Sequence, residues 1–175
     1  MSIMEVLIKN IELWSIDRSL NTACPLKQYD KLIEEYGELV KGLNKNNKQL
    51  IMDSIGDMFI VMTIMMQQIN GNIKLAEEIS KFYEGESTTV NYIKHLSNLG
   101  GMLTKLLNDN AENTYLFTNI QTEISNLLSL LHKTVTEYKT SLFYCVKLAY
   151  DEIKNRKGKI IDGKFIKEDD LDILN

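Results

Sequence analysis

Proline and glycine are scarce in this chain, with one proline and nine glycines among 175 residues. A sandwich or barrel of short strands needs more turn chemistry than that, and alternating apolar and polar runs are equally rare, so the sequence predicts a mostly helical protein. Cysteine is limited to Cys24 and Cys145. They form no CxxC spacing and no disulfide framework, which fits a reducing cytoplasm. The two histidines, His95 and His132, each lack a glutamate three residues before them, which removes the Glu-x-x-His pairs of a ferritin-like di-iron bundle. The most apolar stretch, Met58 to Met66, is too short to span a bilayer. Glu5 before Lys9 leaves no basic start followed by an apolar run, so no signal peptide is expected. An excess of positive charge is also missing: 24 acids against 20 bases leave a net charge of -4, whereas a general nucleic-acid binder is usually basic. The expectation is a cytoplasmic protein with neither nucleic acid nor membrane as a partner.

The chain is long enough for one well-buried core, and its apolar share of 44% and charged share of 25% are those of a globular protein. A first helix is expected over roughly Ile3 to Ser15, using Val6, Leu7, Ile11 and Trp14. Cys24-Pro25 marks the start of a second, because proline suits the first helical position and pushes the residue before it out of helical space. From Leu26 onward Tyr29, Leu32, Ile33, Tyr36, Val40 and Leu43 form an apolar stripe that ends at Asn44 to Asn47. A third helix runs from Lys48 to Ile69 along Ile55, Met58, Phe59, Met62, Met65, Met66 and Ile69, and stops at Asn70-Gly71. A short helix near Ile73 to Phe82 and a break at Gly85 to Thr89 follow. Two amphipathic helices then carry Leu96, Leu99, Leu103, Leu106 and Leu107, and Phe117, Ile120, Ile124, Leu127, Leu128 and Leu131.

Within this frame the acids are unevenly placed. Glu34, Glu35 and Glu38 lie on the second helix, and Asp53 and Asp57 on the third, each set spaced three or four residues apart so that it projects from one side. Asp53 and Asp57 fall on a line through Val61 and Ile64, away from the main stripe of a helix that is apolar nearly all round. Such a helix is buried, so its aspartates are expected to enter a protein-lined cavity. Two helices of this kind packed antiparallel pool carboxylates that repel one another unless a hard cation taking oxygen ligands, Mg²⁺ or Mn²⁺, sits among them. The plain alternative for the second helix is a solvated face in which Glu34, Glu35 and Glu38 pair with Lys27, Lys31 and Lys41.

The order Trp14, Asp17-Arg18, Gln28, Lys31-Leu32-Ile33-Glu34-Glu35-Tyr36-Gly37-Glu38-Leu39, then Asp53-Ser54-Ile55-Gly56-Asp57, resembles the MazG-like, all-α nucleoside triphosphate pyrophosphohydrolases. Ala149 to Lys159 followed by Gly163 to Glu168 looks like the ending of their short, often phage-associated members. The resemblance implies Mg²⁺-dependent hydrolysis of a nucleoside or deoxynucleoside triphosphate to the monophosphate and pyrophosphate. Glu35, Glu38 and Asp57 match ligand positions of the family's EExxE and ExxD motifs. The first acid of ExxD is Ser54 here, with Asp53 one residue earlier as a further ligand candidate. Glu34 or Glu35 is the candidate base for the attacking water. Lys31 and the basic run Lys154, Arg156, Lys157 and Lys159 are candidates for phosphate oxygens. The alternative for that run is a charged helix C-terminus that suits the macrodipole. Trp14 is a candidate for stacking on the nucleobase, with a core position as the alternative.

The fold expected is an all-α bundle of four to five helices in one domain: 1-70 with the acidic helices, 71-141 with a second helix pair lacking the acids, and 142-175 with a closing helix and basic tail. Setting Leu32 to Asn44 over Leu96 to Asn108 matches leucine, glycine and lysine positions in turn. Glu34, Glu35 and Glu38 then become Asn98, Leu99 and Met102. With Ile55 on Ile124, Asp53 and Asp57 become Thr122 and Asn126. The second pair reads as a degenerate internal repeat that covers the first as a partner subunit otherwise would. Asp162-Gly163 between Ile160-Ile161 and Phe165-Ile166 is a hairpin cue. A homodimer or higher homo-oligomer is the default assembly. The competing function is a non-catalytic helical interaction module with a vestigial or structural metal site.

Overall fold

Seven α-helices and one two-stranded ribbon make up the described residues of the computed structural model, which are 1–108, 114–161 and 164–168; the side chains of 159–167 also lie outside them. The protein is all-α, as expected, with the ribbon as its C-terminal appendage. The helices are α1 (Ile3–Asp17), α2 (Pro25–Asn44), α3 (Lys48–Gln68), α4 (Ile73–Ser80), α5 (Thr89–Asn108), α6 (Thr114–Glu137) and α7 (Leu142–Ile153). The strands β1 (Gly158–Ile161) and β2 (Lys164–Lys167) pair antiparallel with Ile160 opposite Phe165. The predicted strands are therefore present, while the turn at Asp162-Gly163 lies outside the described residues.

Local chemistry accounts for the boundaries. Ser2 and Glu5 form a capping box at the start of α1. Cys24 is extended and Pro25 opens α2. Asn47, Asn72 and Ser141 accept from backbone N–H groups at the starts of α3, α4 and α7. Asn70 ends the α3 turn in the left-handed region, with φ 54°.

α3 is the axle. All seven residues of its predicted stripe are buried, and Val61 and Ile64 on the opposite line are buried too. The reason is that α2, α7, α1, α6 and a 3₁₀ turn at Leu20–Thr22 all touch it. Met58 to Met66, short in itself, belongs to a helix 21 residues long with mean hydropathy 1.4, enough to cross a bilayer by length and composition. Its apolar surface is spent on the core, with 78% of that window buried inside the protein.

Three expected apolar positions differ, and one of them, Leu107 near the end of α5, is 45% exposed. Val6 is 40% and Ile33 41% exposed, because α1 turns Leu7, Ile8 and Ile11 inward and α2 has two neighbours rather than one. α2 meets α3 through Leu32, Glu35 and Leu39, and it meets α5 through its tyrosines. Tyr29 donates to the Leu96 carbonyl at 2.8 Å, and the Tyr36 ring lies 5.4 Å from that of Tyr92. The early part of α2 thus meets the later part of α5, so the two helices run antiparallel. α5 packs along α6 as α2 packs along α3.

Candidate functional site

Glu35 occupies the α2 position that fixes the site. It shares the buried stripe with Leu32 and Leu39, is 4% exposed, and faces α3. Glu34 and Glu38 flank it in solvent, and Asp53 and Asp57 are half-buried on α3. Ser54 is fully buried and its hydroxyl donates to the Leu50 carbonyl of its own helix at 2.8 Å. It is therefore committed to its helix, and Asp53 and Asp57 are the α3 carboxylates left to the site.

The electrostatics register how close these groups are. Burial, followed by the charges of Glu35 and Asp53, pushes the Asp57 carboxyl up to about 7, with Lys31 and Arg156 pulling the other way. Burial also raises Glu35, opposed by the Lys31 ammonium and helped by Glu38 and Glu34. Lys31 bridges the acids of its own helix, with Nζ 2.6 Å from Glu35 Oε1 and 3.1 Å from Glu34 Oε1. Burial draws the Lys31 ammonium down, but its hydrogen bonds and charge contacts with Glu35 and Glu34 outweigh this and leave it above its ordinary value. Among the described residues, no three acids converge into a ready-made ligand cage.

The basic candidates separate. Arg156 is near enough to Asp57 to offset its charge, while its guanidinium pairs with Glu152. Lys154 pairs with Asp151 at 2.7 Å. Lys157 is exposed, and its carbonyl accepts from the Glu168 N–H at 2.9 Å. The Lys159 side chain lies outside the described residues.

Trp14 belongs to the core rather than to an open cleft. It is 8% exposed, its indole N–H donates to the Ile153 carbonyl at 3.0 Å, and the Arg18 guanidinium sits 4.6 Å from its ring centroid. The same Arg18 donates to the Arg156 carbonyl at 2.6 Å, which ties α1 to the segment carrying Arg156. Trp14→Phe should cost about 1–2 kcal/mol in chemical denaturation, for a lost buried hydrogen bond and cation–π contact. It should leave any binding of a nucleoside triphosphate unchanged in a titration; weaker binding at unchanged stability would restore the stacking role.

Sequence reasoning passed over a second polar cluster. Tyr83 Oη lies 2.9 Å from His95 Nε2, His95 Nδ1 lies 2.6 Å from Glu123 Oε2, and Asn98 donates to Glu123 Oε1 at 3.0 Å. His95 and Glu123 are both buried. Helical spacing gives no sign of this cluster, because its members sit on α5, α6 and the segment after α4. The overlay of the two helix pairs does carry a signal, since it sets His95 on Lys31 and Glu123 on Ser54. A groove of about 550 Å³ lined by Glu86, Ser87, Thr88, Lys133, Thr136 and Glu137 contains none of the candidate residues.

The chain is 51% identical over 69 residues to an uncharacterized 18.2 kDa protein from the rep-hol intergenic region of Haemophilus phage HP1 (strain HP1c1). The match covers 39% of this chain and 42% of that protein, less than half of either. No family model and no solved structure matches.

Proposed function

We propose that the protein is a MazG-like pyrophosphohydrolase that hydrolyses a nucleoside or deoxynucleoside triphosphate to the monophosphate and pyrophosphate with Mg²⁺, or Mn²⁺, held between α2 and α3. One observation carries the reading: the buried Glu35 of α2 lies close enough to the half-buried Asp57 of α3 for its charge, after burial itself, to raise the cost of ionising Asp57. That is unfavourable for a resting surface and useful for a cation. The donor set consists of carboxylate oxygens, the chemistry Mg²⁺ and Mn²⁺ take. Glu35, Glu38 and Asp57 would hold the ion, with Asp53 beside them. When bound, the ion neutralises polyphosphate charge.

The chain's own groups do the remaining work. Glu34, exposed and next to Glu35, accepts the proton of the water that attacks phosphorus, and Glu35 can take that role only if it leaves the ion. Lys31 and Arg156 supply positive charge beside the acids for phosphate oxygens. Lys154 and Lys157 stand further from this role, given the Asp151 pairing and the outward position of Lys157. The phage relative accords with the short, phage-associated members that the tail resembles. The packing of α5 along α6, as α2 packs along α3, supports the degenerate repeat. Exposed Ile3, Leu13 and Ile16 on α1, with Leu75, Ile79 and Phe82 nearby in sequence order on or after α4, support a homo-oligomer. Unpaired Cys24 and Cys145 suit a cytoplasmic setting.

A screen of nucleoside triphosphates with pyrophosphate detection tests the proposal. Release should depend on Mg²⁺, and Glu38→Gln should reduce it by about a hundredfold or more while the helical circular dichroism stays unchanged. The burial of Ser54 favours one competing reading, a non-catalytic interaction module with a vestigial or structural metal site. A module binds a protein partner and ignores both Mg²⁺ and the substitution.

A further inference from the structure

Lys31 is placed where a visiting cation would have to go. Its ammonium contacts the buried carboxylate of Glu35 and the exposed one of Glu34 at once, and its charge reaches Asp57 on the neighbouring helix. One lysine therefore serves carboxylates of both helices. Its side chain is 47% exposed against 5% for Glu35, so the stem has an open route out while Glu35 is fixed in the helix interface. A divalent ion that takes Glu35 as a ligand needs the lone pairs that the ammonium now occupies, and two cations at that spacing repel strongly.

We propose that Lys31 is the built-in counter-ion of this site, displaced by the divalent cation when it binds and handed over to the polyphosphate of the substrate. The inference rests on the proposed function, and it accounts for an ammonium lying among the acids of α2. Lys31 occupies the carboxylates of Glu34 and Glu35, and exchange of one cation for another frees their oxygens for the metal while Glu35 stays in the helix interface. No bond is made or broken, because a carboxylate–ammonium pair is replaced by carboxylate–metal and ammonium–phosphate pairs. The same charge then serves first the carboxylates and afterwards the phosphate.

The test uses Mn²⁺, counted by electron paramagnetic resonance, and a non-hydrolysable nucleoside triphosphate analogue, titrated into the 175-residue protein. In Lys31→Met, and in Lys31→Gln as a second variant, Mn²⁺ alone should bind about fivefold more tightly, the size expected for release of one partly buried ion pair. The analogue, with Mn²⁺ present, should bind more weakly. Lys27→Met, one turn earlier and paired with Asp30, should change neither, which separates a local contact from the general field. Unchanged or weaker Mn²⁺ binding in the Lys31 variants overturns the counter-ion role. Tighter Mn²⁺ with unchanged analogue affinity overturns the hand-over. Asp57→Asn reports on the underlying reading: if wild type binds Mn²⁺ no better than Asp57→Asn does, the metal site itself is wrong and the inference falls with it.

Discussion

Asp57→Asn is expected to abolish pyrophosphate release, by about a thousandfold or more, and at the same time to make the metal-free protein more stable above neutral pH. The two effects share one cause. Burial and the neighbouring charges of Glu35 and Asp53 hold the folded Asp57 carboxyl at about 7, against an ordinary 3.8. In the unfolded chain the group gives up its proton at the lower value. Stability contributed by the protonated carboxyl is therefore present in acid and falls as pH rises from about 4 to 7, with the full loss reached above that window. Integrated and discounted for partial exposure, the loss amounts to roughly 2–4 kcal/mol. Asn has nearly the same shape and no charge to desolvate, so it escapes the loss. Urea denaturation in EDTA at pH 5 and pH 8 measures this directly: wild type should weaken between the two, and Asp57→Asn should weaken less. Mg²⁺ should restore wild type at pH 8 by binding the native state, and do nothing for the variant. A variant no more stable than wild type at pH 8 would show that the carboxyl is not under the strain assigned to it.

How much of this was legible in the sequence follows from how many neighbours each helix has. α3 is enclosed on most sides, so its stripe and its buried second line could be read from periodicity, whereas Asp53 and Asp57, expected in a protein-lined cavity, are half-buried. α2 touches α3 on one side and α5 on another, and a single apolar stripe averages the two. The averaged stripe included Ile33, which is exposed, and left Glu35 near its edge, whereas the Leu32, Glu35 and Leu39 line faces α3. A buried glutamate cannot be told from a solvated one by spacing, since its burial depends on what the other helix presents. For the same reason the His95–Glu123 pair, joining α5 and α6, was invisible to one-helix reasoning. Trp14 illustrates the opposite case. Its place in the core follows from an apolar position on α1, and only the partner of its indole, the Ile153 carbonyl far along the chain, needed the fold.

Gly56→Ala should be the most destabilising single methyl that this chain can be given among its helical glycines near the site, and it should damage the site from the back. Gly56 lies between Asp53 and Asp57, on the face of α3 that meets α7. A Cβ there would fall inside contact distance of the Cys145 backbone carbonyl and 2.8 Å from the Ala149 Cβ. Neither neighbour is the loose end of a flexible side chain, so α3 and α7 must separate. Overpacking of this kind costs about 1–3 kcal/mol, or a fall in Tm of roughly 2–4 °C for each kcal/mol in a protein of this size. Gly37→Ala on α2 is the matching control, because nothing lies within 4 Å of its added methyl. It should stabilise by up to about 1 kcal/mol through helix propensity alone. The functional consequence separates helix spacing from chemistry. Asp57 sits one residue beyond Gly56, so pushing α3 away from α7 moves the carboxylate against Glu35 without altering any acid. Gly56→Ala should therefore lose activity well below its melting temperature, and Ala149→Gly in the same chain, which removes the clashing Cβ, should return part of both the stability and the pyrophosphate release. Full activity in Gly56→Ala at a lowered Tm would show that the α2–α3 acids tolerate a shift of the axle helix, and that their alignment is set elsewhere.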